Sequence, residues 1–210
     1  MNLGPGEPEG GPWTVDPLDA FARSLAGARV IAVDGRGGSG KTVLAARLAS
    51  LLEQATVVHS DDVAWNHSRF GWDDLMLDGI LTPFRRGDPV RYRLPAWERL
   101  GREGHIVVPA GTTTLIIEGV GVSRRSLAPH VDVAIWVQSD YEEAKARGIR
   151  RDIATEGRTE AGALQNWDEW EAEEVPFLLD DRPWDRADIL VSTSIPHDPD
   201  TEVVTSRPRP

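Results

Sequence analysis

Val30-Ile31-Ala32-Val33-Asp34-Gly35-Arg36-Gly37-Gly38-Ser39-Gly40-Lys41-Thr42 is an apolar, β-branched run that breaks into glycines and ends in Lys-Thr. It fits G-x-x-x-x-G-K-[ST] at every fixed position. A loop whose backbone N–H groups face a polyanion needs glycines, because side chains would block the approach and φ > 0 is often required. Gly35, Gly37, Gly38 and Gly40 supply it, with Ser39 between them. Lys41 then reaches the β/γ-phosphates, and the Thr42 hydroxyl holds Mg²⁺. The run Val43–Leu52 reads as an apolar-faced helix whose N-terminal dipole adds to the anion site, so Val43 completes the nucleotide-binding set. Asp34, just ahead of the loop, is read as a structural acceptor for loop N–H groups.

Outward from this stretch, residues 1–16 are rich in Gly and Pro and carry too little apolar surface to offset the entropy of ordering. They predict a flexible arm. Asp16-Pro17 predicts a helix start, followed by a helix over 17–25. Further strands are predicted at 55–59, 112–117, 131–137 and 187–191, with helices at about 140–152 and 164–179. Short apolar strands alternating with helices indicate an α/β fold, a five-stranded parallel sheet covered on both faces in three layers. Residues 17–196 are expected to form that domain, with an irregular substrate-binding insertion at about 63–109. Residues 197–210 are expected to be a flexible tail.

The chain has 210 residues, with 34 acidic against 23 basic and a net charge of −11. That balance argues against a nucleic-acid or anionic-membrane surface. The absence of cysteine excludes disulfides, thiolate metal sites and a Cys nucleophile, and it suits a reducing cytosol. No apolar run reaches membrane-span length and no signal peptide is evident at the N-terminus, so the expectation is a cytoplasmic protein. Oligomeric state is not legible.

Parallel sheets place ligands at the carboxyl ends of their strands, and the notable acids sit there: Asp61 and Asp62 after the second predicted strand, Glu118 after the third. The aspartate pair serves either as a helix cap or as a base, and adjacency should raise the pKa of both. Glu118 at a buried strand end needs a partner, either Mg²⁺ or Lys41. Arg147 and Arg151 share a helix face, where they converge on a phosphate or pair with Glu143 and Asp140. Trp65, Trp72, Tyr92 and Trp97 line a slot for a ring or build a satellite core.

From Val30 to Ser194 the chain resembles the uridine kinase-like branch of P-loop kinases, which includes nicotinamide riboside kinases. The resemblance rests on Gly35–Thr42, on His59-Ser60-Asp61-Asp62, on Leu115-Ile116-Ile117-Glu118-Gly119, and on Arg147-Gly148-Ile149-Arg150-Arg151-Asp152 with Gly157-Arg158. It implies that Asp61, on a strand expected next to the phosphate-loop strand, takes the proton from the acceptor hydroxyl, with Asp62 as its rival and neighbour in the substrate site. It implies that Thr42 and Glu118 hold Mg²⁺, and that Arg147, Arg151 and Arg158 belong to a helical lid over about 147–163. Within 87–99, Tyr92 and Arg99 fall where the family contacts its nucleoside. Arg93 replaces an aspartate and Trp97 a histidine, which points away from a pyrimidine nucleoside and toward an anionic acceptor. Trp65, Tyr92, Arg93 and Arg99 are therefore the expected acceptor contacts.

The implied activity is ATP- and Mg²⁺-dependent phosphorylation of a hydroxyl on a small, nucleoside-like acceptor, with Lys41, Asp61 and Arg151 carrying catalysis. Two alternatives stand beside it. One is a nucleoside monophosphate kinase, which needs a basic acceptor site and no base; the other is a P-loop nucleotide-binding regulator without turnover.

Overall fold

The computed structural model describes residues 1–207. Its strands are β1 (Thr14–Pro17), β2 (Val30–Gly35), β3 (Ala55–His59), β4 (Val90–Tyr92), β5 (Ile106–Val108), β6 (Thr114–Glu118), β7 (Val133–Gln138), β8 (Ile189–Ser192) and β9 (Glu202–Ser206). Its α-helices are α1 (Leu18–Ser24), α2 (Lys41–Leu51), α3 (Ser60–Ala64), α4 (Asp73–Met76), α5 (Thr82–Arg86), α6 (Pro95–Leu100), α7 (Tyr141–Glu156) and α8 (Glu160–Asp181). β2 and β6 are buried at every residue and run parallel as neighbours inside a seven-stranded sheet of order β1-β9-β8-β7-β2-β6-β3.

Strand period two divides the core. Val30 and Ala32 of β2, with Leu115 and Ile117 of β6, face a layer built from residues 63–127. Ile31, Val33 and Ile116 face the opposite way and meet Leu44 and Leu48 of α2 and Phe21 of α1. Two-sided burial is why these strands read as continuous apolar runs rather than alternating ones. The result is a three-layer α/β sandwich, and the five parallel strands β3, β6, β2, β7 and β8 are the five expected.

Five expectations change. The sheet is larger than five strands: β9 pairs antiparallel with β8, and β1 pairs antiparallel with β9, Thr14 lying opposite Thr205. The expected flexible tail therefore contributes a strand up to Ser206; residues 208–210 of it lie outside the described residues. The expected flexible arm packs against the sheet end, where Gln138 Nε2 donates to the Pro8 carbonyl at 2.9 Å. Asp16 caps no helix, because Thr14–Pro17 is strand and α1 begins after it without a side-chain cap. Finally, the stretch 63–109 is not irregular. It folds into short helices, a π-helical turn over Leu77–Leu81 and the hairpin β4–β5.

Trp72 and Trp97 are core residues of that layer, packed with Met76, Ile80 and Leu94. Full burial of an aromatic or large aliphatic side chain contributes roughly 1.5–3 kcal/mol. Both tryptophans accordingly build core, and Trp72 also shows an edge to a cavity beside Asp61. Tyr92 lies flat over Gly79, where an added Cβ would come 2.3 Å from its ring.

The other end of the molecule is a helical hairpin. Asp140 caps α7 by accepting from the Glu142 and Glu143 N–H groups, and Gly157 ends it in the left-handed region at φ 66°. Thr159 then caps α8. The two helices approach closely at Gly148, where a Cβ would lie 2.0 Å from the Trp167 ring.

Candidate active site

The phosphate loop leaves β2 and enters α2 at Gly40, in the left-handed region at φ 100°. Gly38 is another position that only glycine fills. Its φ is 71°, and a Cβ would sit 2.2 Å from the Ala144 carbonyl oxygen of α7. Lys41 is buried, and its Nζ donates to the Arg36 carbonyl at 2.8 Å across the loop. Asp34 is fully buried and accepts from the N–H groups of Gly35, Gly121 and Ser123 and from the Ser123 hydroxyl. It is a structural acceptor as expected, yet most of its donors come from the segment after β6. Burial pushes its carboxyl upward against those hydrogen bonds.

At the end of β6, Glu118 Oε1 accepts from Thr42 Oγ1 at 3.1 Å, and Oε2 accepts from His59 Nδ1 at 2.7 Å. Burial works against the Glu118 charge, but the His59 bond, the Lys41 ammonium and the Thr42 bond outweigh it and hold the carboxyl below its ordinary range. The same pairing raises His59. Sequence reading named Mg²⁺ or Lys41 as the partner; His59 and Thr42 supply the hydrogen bonds and Lys41 the nearby charge. Among the described residues no cluster of three or more His, Cys, Asp or Glu is arranged to hold a metal alone. A Thr hydroxyl beside one carboxylate at a phosphate loop fits Mg²⁺, which keeps waters and takes its other oxygens from phosphates.

Asp61 and Asp62 part company at the first turn of α3. Asp61 lines a cavity of about 380 Å³ together with Gly37, Gly38, Gly40, Lys41, Thr42, Val43, Glu118, Arg147 and Arg151. Burial raises its carboxyl pKa, Lys41 opposes this and the Glu118 charge adds to it. Asp62 is not the cause, contrary to the sequence expectation. It turns away, accepts from Arg102 Nη2 at 2.5 Å and caps no helix. β3 is also not the neighbour of β2, since β6 lies between them. Asp61 reaches the loop because α3 starts at once after β3 and bends back over the end of β6.

Of the lid arginines, Arg147 and Arg151 line the cavity. Arg147 Nε donates to the Gly38 carbonyl at 3.0 Å while Nη1 lies 3.7 Å from Glu143; the expected pairing with Glu143 is present, whereas Asp140 caps α7 instead. Arg151 leans on Asp152, a buried carboxylate also bonded by Asn166 of α8. Arg158 is excluded from the cavity lining and pairs with Glu156 at 2.6 Å.

A second cavity of about 280 Å³ adjoins the first, sharing Asp61, Val120 and Trp170 with it, and its further walls include Trp65, Asn66, His67, Arg69 and Trp72. Trp65 is the expected acceptor residue found there. Tyr92, Arg93 and Arg99 are not: Tyr92 packs on Gly79, Arg93 donates to the Arg102 carbonyl, and Arg99 reaches the Asn66 carbonyl. The argument from Arg93 for an anionic acceptor falls with its position. Arg69 is the cation in this cavity, and it is already bound to Glu173 at 2.7 Å. Sequence reading missed Trp170, His67 and Asp152. The His59-Ser60-Asp61 run was a local signal for His59, and the Arg147–Asp152 run for Asp152; nothing local marks Trp170 or His67.

No family model matches the chain. It is 27% identical over 163 residues to the uridine kinase of Saccharomyces cerevisiae, a match covering 67% of this chain and 32% of that protein. The chain thus spans about a third of the length of that relative. Among solved structures it resembles a possible uridine kinase from Bacillus stearothermophilus, with a TM-score of 0.52 and 21% identity over 82% of this chain and 96% of that one. It also resembles the YGR205w protein, with a TM-score of 0.50 and 10% identity over 91% and 94% of the two chains. The chain is a distant relative of uridine kinase with the α/β fold of the uridine kinase-like P-loop kinases.

Proposed function

We propose that the chain is an MgATP-dependent kinase that phosphorylates a hydroxyl group of a small, uncharged, nucleoside-like acceptor. The observation that carries this reading is that Asp61 belongs to both cavities, one walled by the phosphate loop and the other by Trp65 and Trp170. An acceptor in the aromatic cavity then meets a phosphoryl donor in the loop at one carboxylate, whose raised pKa suits proton acceptance late in transfer. Mg²⁺ bound to the nucleotide would neutralise charge on its phosphates, and Thr42 and Glu118 are the residues to hold it. Lys41 and Arg151 add positive charge where phosphoryl transfer develops negative charge. The neutral acceptor follows from Arg69, whose pairing with Glu173 leaves the aromatic cavity without an open cation, as a monophosphate acceptor would require.

The test is a screen of nucleosides, vitamins and sugars for compounds that stimulate ADP formation from MgATP. The expected result is stimulation by a ring-bearing alcohol, lost in Asp61→Asn. Stimulation by a nucleoside monophosphate that survives Asp61→Asn would favour a monophosphate kinase. Tight MgATP binding with no stimulation by any acceptor would favour a regulator.

A further inference from the structure

Arg36, the second residue of the phosphate loop, points away from the ligand cavity and is 4% exposed. It is enclosed by two acids from distant parts of the chain. Its Nε lies 3.4 Å from Glu7 Oε2 and its Nη1 lies 3.6 Å from Glu174 Oε2 of α8. Nη2 donates to the Pro5 carbonyl at 2.5 Å. The same Glu174 accepts the Gly37 N–H at 2.7 Å and the Trp170 Nε1–H at 3.0 Å, so it grips the loop backbone as well as the loop arginine. Glu7 is anchored in turn by Trp136 Nε1 of β7 at 2.9 Å. Residue 4 passes so close over the guanidinium that a Cβ there would lie 2.2 Å from Nε, which glycine alone accommodates.

We propose that Glu7 is a positioning residue for nucleotide binding: through Arg36 the N-terminal arm and α8 clamp the phosphate loop from behind and hold its N–H groups in the ligand-ready arrangement. This rests on the reading of the loop as an MgATP site. The charges favour a geometric role over an attractive one. Acids behind a loop that must receive a polyanion do not attract it, and burial raises the Glu7 carboxyl against the pull of Arg36 and the Gly4 and Trp136 bonds. What the arrangement supplies is fixed geometry in a segment otherwise dominated by glycine. Preorganisation of this kind reduces the ordering cost at the moment of binding.

Glu7→Gln in the full chain tests it, because the amide keeps the size and an acceptor for Trp136 while removing the charge that faces Arg36. The readouts are the Kd for MgATP by calorimetry and the thermal midpoint without ligand. A weakening of MgATP by about tenfold is expected, below the ~10²-fold that a 1 Å misplacement can cost. Gly4→Ala, which pushes the arm off Arg36, should weaken MgATP in the same direction and serves if Glu7→Gln fails to fold. An unchanged Kd with a lowered midpoint would make the arm a structural strap only, and a tighter Kd would mean that its charge matters and its geometry does not. Either overturns the inference. A wild-type chain that does not bind MgATP overturns the nucleotide reading and this inference together, whereas a binding wild type with an equally tight variant sinks this one alone.

Discussion

Thr42 Oγ1 and Glu118 Oε1 lie 3.1 Å apart, joining the first turn of α2 to the end of β6 across the sheet edge where the phosphate loop opens. The two residues are far apart in sequence and come together because β2 and β6 are parallel neighbours, Val33 in register with Glu118. A hydroxyl and a carboxylate bonded to each other are already at the spacing at which one hydrated cation could take both as ligands. Glu118→Gln should therefore raise the Mg²⁺ concentration needed for half-maximal turnover. A Mg²⁺ dependence identical to wild type would remove Glu118 from the metal site.

Lys41→Ala should abolish transfer. Its ammonium is buried beneath the loop and aimed across it, and the lost charge stabilisation should be worth several kcal/mol, of the order of 3–4 or more. Wild-type turnover in the variant would end the phosphate-loop assignment.

Asp61→Asn should lower kcat by about 10²–10⁴-fold at saturating MgATP and acceptor, the usual range for loss of a general base. Asp62→Asn should leave kcat near wild type, since Asp62 is bound to Arg102 outside the cavity. The reverse pattern would exchange their roles.

Arg151→Ala should lower kcat more than it raises the KM for ATP, because a lid arginine acts on charge that develops in the transition state. Arg158→Ala should change neither, given its pairing with Glu156 away from the cavity. If Arg147 and Arg151 can both be removed without loss of kcat, α7 has no catalytic part.

Asp132 should make stability depend on acid. Burial opposes its charge, but Arg85 and the N–H groups of Val30 and Arg29 bond it and hold its carboxyl below the ordinary value of 3.8. The unfolded chain therefore takes up this proton first as pH falls. The stabilisation is present above the ordinary carboxylate range and is lost as pH drops through the lower folded value. The gap in thermal midpoint between wild type and Asp132→Asn should narrow from about pH 7 to about pH 3; a constant gap would mean the hydrogen bonds, not the charge, are responsible.

The central strands were legible because buried parallel strands announce themselves as unbroken β-branched runs, as in Val30–Val33 and Leu115–Ile117. β1 and β9 were not. Each offers few apolar residues next to Asp16, Pro17 and Glu202, and their order comes from pairing with partners nearly a chain length away. The same holds for the arm, whose glycines and prolines read as mobile until Arg36 and Trp136 meet Glu7. In the site, the phosphate loop, Glu118 and Asp61 were readable because each follows its own strand. Apart from Trp65 and Trp72, the wall of the second cavity was less legible, since Tyr92 and Arg99 were matched by sequence position to a segment that folds into core and surface, while Trp170 arrives from α8.

The pairing of Thr14 with Thr205 spans 191 residues of sequence. Loop-closure entropy delays such contacts, whereas neighbouring strands joined through a single helix close over far shorter distances. Assembly should begin around β2 and α2 and finish when the two outer antiparallel strands dock. Because the residues ahead of β1 carry Glu7, a newly folding chain would acquire its phosphate-loop sequence early and its fully braced loop last, so nucleotide affinity should mature more slowly than helical content during refolding.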